Sequence, residues 1–348
     1  MIRRRRFRPR RRSQRGFTLI ELMVSLVLFA LVVTGLMAVA VSMITGYRDQ
    51  EVTIATETAT RSTIDYLTNA LHNASPGVST FTNFGSLDSA TCPVGAIALE
   101  SNQTTPLANT SDKLTITFAS GGVVTTSTST WTGGDGTVDV IDATQITAND
   151  YVVITNFDVG HFVRVTNSTG SAPGTLTLDV ECTTPNPAVP TGGYIAGATV
   201  IRAMRAKFSI GVVPSDDVIG VVPVLNMDAD AEGTQQIDQP IAEGIEDLQV
   251  VYAADNVTAN GVIDAESTTA GADEWYGNVL GETVPLPLPN ATRAIRVTLV
   301  ARTTRQFSGV NAFVLKALED RAANSATDNF RRRILSTTVE IRNLAGSP

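Results

Sequence analysis

From Leu22 to Tyr47 the chain runs through 26 consecutive residues without a formal charge, most of them Leu, Val, Ala, Met, Ile or Phe. A helix rises roughly 1.5 Å per residue, so about 20 such residues cover a bilayer core and this stretch can span one. Nine of the 26 basic residues lie ahead of it, between Arg3 and Arg15, with no acidic residue among them. Positive-inside bias places that end in the cytoplasm and everything after Arg48 outside. Residues 17–348 carry 17 basic and 34 acidic side chains, a formal net charge of −17. An acidic body behind a basic head is not the profile of a nucleic-acid-binding enzyme.

An ordinary secretory signal has a shorter apolar region and a small-residue cleavage site at its far end, and no clear one follows here. Glu21 is the more telling feature, a carboxylate at the start of an apolar span where charge is costly. The run Gly16-Phe17-Thr18-Leu19-Ile20-Glu21-Leu22-Met23-Val24 behind a basic leader resembles the prepilin signature of type IV pilins and type II secretion pseudopilins. The resemblance implies that a membrane peptidase cuts after Gly16 and methylates the new amine of Phe17. Glu21 then becomes the fifth residue of the mature chain. It also implies a role for Glu21 in assembly, because the amine of a neighbouring subunit's Phe17 is a suitable counter-charge in hydrocarbon.

No proline occurs between Phe17 and Ser75, so one helix is expected from Phe17 to about Ser75, on the order of 90 Å long. Ile64, Leu67, Leu71 and Ala74 form an apolar stripe of helical period, and Ser75-Pro76-Gly77 is a stop signal. The rival for the second half is a Thr-rich stalk, since Thr53, Thr56, Thr58, Thr60 and Thr63 are poor helix formers. Beyond Pro76 the period changes to two. Strands are expected at Lys113–Phe118, Tyr151–Thr155, Phe162–Thr166, Thr175–Val180, Val200–Ile210, Leu248–Tyr252, Ile295–Thr303 and Ile334–Leu344. The expected class is α+β, a pilin-like long N-terminal helix packed on an antiparallel sheet. Its divisions are a leader (1–16), a membrane and filament-core helix (17–47), an amphipathic continuation (48–75) and a β-rich body (76–348).

Val200–Arg205, Gln239–Tyr252, Arg293–Arg302 and Phe330–Asn343 add a narrower likeness. Together they resemble the PilW-type minor pilins, relatives of the J-type pseudopilin. The resemblance covers about 1–75 and 197–344, and residues 92–195 depart from it as an inserted β-rich lobe. Cys92 and Cys182 lie on the outer side of the membrane, where an oxidising compartment permits a disulfide that would clip this lobe. Two separate buried thiols are the alternative.

Asp228, Asp230 and Glu232 with Gly233 copy part of a calcium loop, but Gln239 stands where the bidentate acid belongs. Asp255, Asn260, Gly261 and Asp264 are a second partial match, and solvated turns explain both more cheaply than bound calcium. No metal site is assigned and no cofactor is expected. His72 and His161 lack a nucleophile elbow, phosphate loop or dinucleotide loop around them, so catalysis is not expected. The Arg331–Arg333 run is either solvated or a dock for an acidic neighbour.

The expected function is that of a minor pilin, incorporated at or near a pilus tip and priming assembly. The implied partners are other minor and major pilins, the prepilin peptidase, the inner-membrane assembly platform and a candidate tip adhesin, with no nucleic acid. The expected location is the inner membrane, with the body in the periplasm, and then the cell surface. The alternatives are a J-type pseudopilin or a membrane-anchored surface-binding module that uses the inserted lobe.

Overall fold

The computed structural model describes residues 16–78, 84–87, 95–107, 109–185, 187–214, 220–229, 238–257, 260–282, 284, 292–307, 313–324 and 327–341. One helix, α1 (Leu19–His72), precedes every strand. The strands that follow are β1 (Phe84–Ser86), β2 (Ile97–Thr104), β3 (Thr110–Thr126), β4 (Thr137–Val140), β5 (Tyr151–Thr155) and β6 (Gly160–Gly170). Next come β7 (Gly174–Asp179), β8 (Thr199–Pro214), β9 (Val221–Asp228), β10 (Gln239–Glu243) and β11 (Ile245–Ala254). The last are β12 (Trp275–Tyr276), β13 (Thr292–Arg302), β14 (Phe313–Val314), β15 (Thr327–Asp328) and β16 (Arg332–Glu340). The α+β class with a long N-terminal helix is therefore the observed one. Residues 1–51 and 52–348 form separate compact units.

The helix does not break at the threonines. Thr56, Thr60 and Thr63 are buried and continue the stripe of Ile64, Leu67 and Leu71. Each hydroxyl donates to the carbonyl four residues back: Thr56 to Val52 at 2.8 Å, Thr60 to Thr56 at 2.6 Å and Thr63 to Ala59 at 2.6 Å. With its hydroxyl satisfied inside its own helix, a threonine offers its methyl group to a core. The helix ends at His72, three residues before the expected limit. Ser75 takes a left-handed φ of 57°, its N–H donates to Thr117 O at 3.0 Å, and Pro76 cannot continue a helix. Gly77 (φ 74°) must lack a side chain, since a Cβ there would lie 2.7 Å from Thr155 Cγ2 and 2.8 Å from Ile201 Cδ1.

All eight expected strands have a counterpart, but β7, β13 and β16 end at Asp179, Arg302 and Glu340, short of the expected Val180, Thr303 and Leu344, and residues 342–344 lie outside the described residues. β8 is the common rib. Thr199–Phe208 pair with β3 on one side. On the other side Thr199–Ala203 pair with β5 and Lys207–Pro214 with β9. The order β8–β5–β6–β7–β4 then returns on itself. Ser127, just past β3, bridges Val140 of β4, while Thr128 N donates to Asp139 O at 2.8 Å and Ile141 N to Thr126 O at 2.9 Å. Strands β3, β8, β5, β6, β7 and β4 thus form a closed antiparallel ring. Period-two pairs fill its interior: Val138 and Val140, Val152 and Ile154, Val163 and Val165, Leu176 and Leu178.

The first core lies elsewhere and gathers Ile64, Leu67 and Leu71 of α1 with strands of both large sheets. β5 serves both cores, with Tyr151 and Val153 in the first and Val152 and Ile154 in the second. The four-stranded sheet runs β12–β11–β13–β16. Side chains of β3 cap the edge of β11 that faces away from β13. Ser111 Oγ accepts from Leu248 N at 2.9 Å and donates to Leu248 O at 3.0 Å, while Asp112 Oδ2 accepts from Val250 N at 2.8 Å. These contacts satisfy strand groups that a missing neighbour would leave orphaned.

Candidate assembly sites

Gly16 and Phe17 precede the first helical residue and are both exposed, Phe17 at 81%, so the peptide bond between them is accessible. Thr18 and Glu21 then start the helix as a reciprocal pair. Glu21 N donates to Thr18 Oγ1 at 3.3 Å, while Thr18 N and Thr18 Oγ1 each donate to Glu21 Oε2 at 3.0 Å. This is a capping box, which satisfies two of the donors that a helix start leaves open. The Thr18-Leu19-Ile20-Glu21 spacing, a threonine followed three residues later by a glutamate, is the sequence signal for it. The same carboxylate therefore has a local structural duty besides any role in assembly.

Beyond the cap, the Leu22–Tyr47 stretch of α1 is uncharged and largely apolar on all sides. An 18-residue window reaches a mean hydropathy of 2.7 with none of it buried, and Leu26, Phe29, Leu31 and Leu36 are each more than 60% exposed. By length and composition it can cross a membrane. Such a surface is stable only against lipid or other helices.

The Arg331–Arg333 run is neither a free basic patch nor uniformly solvated. Arg332 is inserted between Glu246 and Asp328, with Nε–Glu246 Oε2 at 2.5 Å and Nη1–Asp328 Oδ1 at 2.6 Å. Burial works against its charge, but the two carboxylates hold the guanidinium above its ordinary range. Arg331 stacks over Phe307 at 4.0 Å. Arg333 is exposed and reaches Glu57 of α1 at 3.4 Å, within the unit 52–348.

Cys182 sits in the second core, 4% exposed, while Cys92 lies outside the described residues. Of the first acidic loop, Asp228 is buried on β9, and Asp230, Glu232 and Gly233 lie outside the described residues. In the second, Asp255 accepts backbone N–H from Asn260 at 3.0 Å and Gly261 at 2.8 Å. Asp264 N donates to Glu274 at 3.0 Å. The carboxylates of Asp255 and Glu274 serve this turn, and among the described residues no group of three or more His, Cys, Asp or Glu side chains is placed to hold a metal. His161 is fully buried, its Nδ1 2.6 Å from the Tyr194 hydroxyl and its Nε2 2.9 Å from Pro187 O. Burial lowers its pKa, so the ring is a neutral structural tie, while His72 is exposed on α1.

Residues 207–343 match the family model for type IV pilus-assembly protein W, and residues 11–37 match the prokaryotic N-terminal methylation motif. The two matches support a type IV pilus-related pilin and are consistent with a PilW-type minor pilin. Pilin-family domains of this kind are structural, and the methylation motif ahead of an apolar helix fits a membrane-anchored pilin. No curated protein and no solved structure matches the chain.

Proposed function

We propose that the chain is a minor pilin made as a prepilin, cleaved after Gly16 and inserted at or near the tip of a type IV pilus, where it primes assembly. The observation that carries this reading is one of register. Gly16, Phe17 and Glu21 stand at the mouth of a helix whose apolar surface has no partner among the described residues of its own unit, and a PilW match follows in the body. Before cleavage, the Phe17 nitrogen is an amide and Glu21 is occupied by Thr18. Cleavage turns that nitrogen into an amine, and the carboxylate of one subunit then has a cation to meet on the next. Transfer from bilayer to filament exchanges lipid for neighbouring helices around the same apolar surface.

The body stands outside the inner membrane before assembly and on the filament afterwards. Its partners are other minor and major pilins, the prepilin peptidase and the assembly platform. Cys92 and Cys182 form a disulfide across the lobe, and the chain has no catalytic cycle. Mass spectrometry of the protein in sheared filaments tests the reading. The expected N-terminus is N-methylated Phe17, and Glu21→Ala is expected to be processed normally yet fail to enter filaments. A protein that keeps its arginine leader in peptidase-containing cells, or a Glu21→Ala variant that assembles at the native level, would overturn it.

A further inference from the structure

Where β3 caps β11, three carboxylates lie together out of water: Asp112, Asp247 and Asp320, exposed by 2%, 0% and 3%. Among the described residues, one guanidinium is placed against them. Arg321 Nε pairs with Asp247 at 2.6 Å, and its other nitrogens are turned to Ala322 O at 2.9 Å and Lys316 O at 2.7 Å. The link between Asp112 and Asp320 is Asn102. It sits in the register shift of β2 between Glu100 and Gln103 with a left-handed φ of 52°. Its backbone N–H donates to Asp112 Oδ1 at 2.8 Å and its amide to Asp320 Oδ2 at 2.8 Å. Asparagine tolerates this backbone region better than most residues.

Acceptors outnumber donors in this seam. Asp320 Oδ1 and Gln249 Oε1 are buried without a hydrogen-bond partner among the described residues, and three negative charges would face one positive charge if all ionised. Buried charge in that excess is costly, and the simplest relief is protonation. We propose that the seam takes up one proton as the pH falls through neutrality, shared by Asp112 and Asp320 and exchanged with solvent, and that its loss loosens the joint between β3 and β11.

The direction of titration supports this. Burial, with Asp320 and Asp247 close by, pushes Asp112 up to about 7 despite the N–H groups of Asn102 and Val250. Burial also pushes Asp320 up to about 6, with Glu319 and Glu282 adding to the repulsion and Asn102 opposing it. Asp247 is raised by burial against the pull of Arg321, Gln249 and Ser111. The folded chain therefore binds a proton that an unfolded carboxyl releases. Stability from the seam grows as pH falls through about 7 and is lost as pH rises above it. His161 works in the opposite sense. Burial keeps its ring neutral, so the unfolded chain takes up a proton there below the ordinary histidine range.

A comparison of variants isolates the seam from that opposing group. Thermal unfolding of the full chain in detergent would be followed from pH 8 to pH 6 for the wild type, Asp320→Asn and Asp112→Asn. Asp320→Asn carries the amide in place of the protonated acid. It is expected to melt about 3–6 °C above the wild type at pH 8 and to lose most of that advantage by pH 6. Should the variants not fold, the infrared band of a protonated carboxyl in the wild type is the second measurement, expected at pH 6 and absent at pH 8. Parallel melting curves for wild type and Asp320→Asn, or no such band at pH 6, would overturn the proposal. So would a divalent cation that stabilises the wild type at pH 8 but not Asp320→Asn, because the seam would then hold a metal ion.

Discussion

The two halves of α1 invert the usual relation between composition and burial. The half richest in Leu, Val and Met has no part of its apolar window buried. The half that carries Thr56, Thr60 and Thr63 is packed into a core. Apolar character does not by itself put a residue inside; what matters is whether its own chain supplies a partner surface. The first half depends on lipid or on other subunits. The second half has both sheets of its own unit, and its threonines enter because their hydroxyls are already bonded within the helix.

Unequal substitutions sharpen the contrast most. Leu67→Ala, at a fully buried position, is expected to lower the unfolding free energy by about 2–5 kcal/mol. Leu28→Ala, of the same chemistry in the first half, is expected to change it by less than about 0.5 kcal/mol. Denaturant titration of the full chain in detergent, read from the body's tryptophans, measures both. Equal losses would break the contrast.

Thr18→Ala removes the N-cap and is expected to cost the first turn about 0.5–2 kcal/mol. Faster hydrogen exchange at the first turn of α1, with the body's melting temperature unchanged, is the signature. A small effect is expected from Thr60→Val as well. It removes a hydroxyl bonded only within the helix and should leave stability within about 1 kcal/mol in the same titration. A loss several times larger would mean that the hydroxyl matters to the core.

The sequence was most legible where one physical rule acts alone. The apolar run, the register of Gly16, Phe17 and Glu21, the stripe at Ile64, Leu67 and Leu71, and the strand runs rich in Val and Ile each follow from a local period. Strands β2, β4, β9 and β10 were harder to read. They hold residues such as Asn102, Asp139, Pro223 and Pro240, and they exist because a neighbour pairs with them, a tertiary override of weak propensity. The ring closure through Ser127 and Val140 leaves no local trace at all. At the candidate sites, the role of Arg332 was hidden because three consecutive arginines look alike in sequence. Only the fold places one between Glu246 and Asp328, one on Phe307 and one beside Glu57. The seam was hidden because Asp112, Asp247 and Asp320 are far apart in the chain.

The double duty of β5, β6 and β8 has a mechanical consequence. The ring shares β3, β5, β6 and β8 with the core that α1 packs into, so neither core can be dismantled while the other stays whole. Unfolding of residues 52–348 should therefore be a single cooperative event, and a load drawn along the helix would be shared by the ring through these strands rather than carried on a hinge between independent domains.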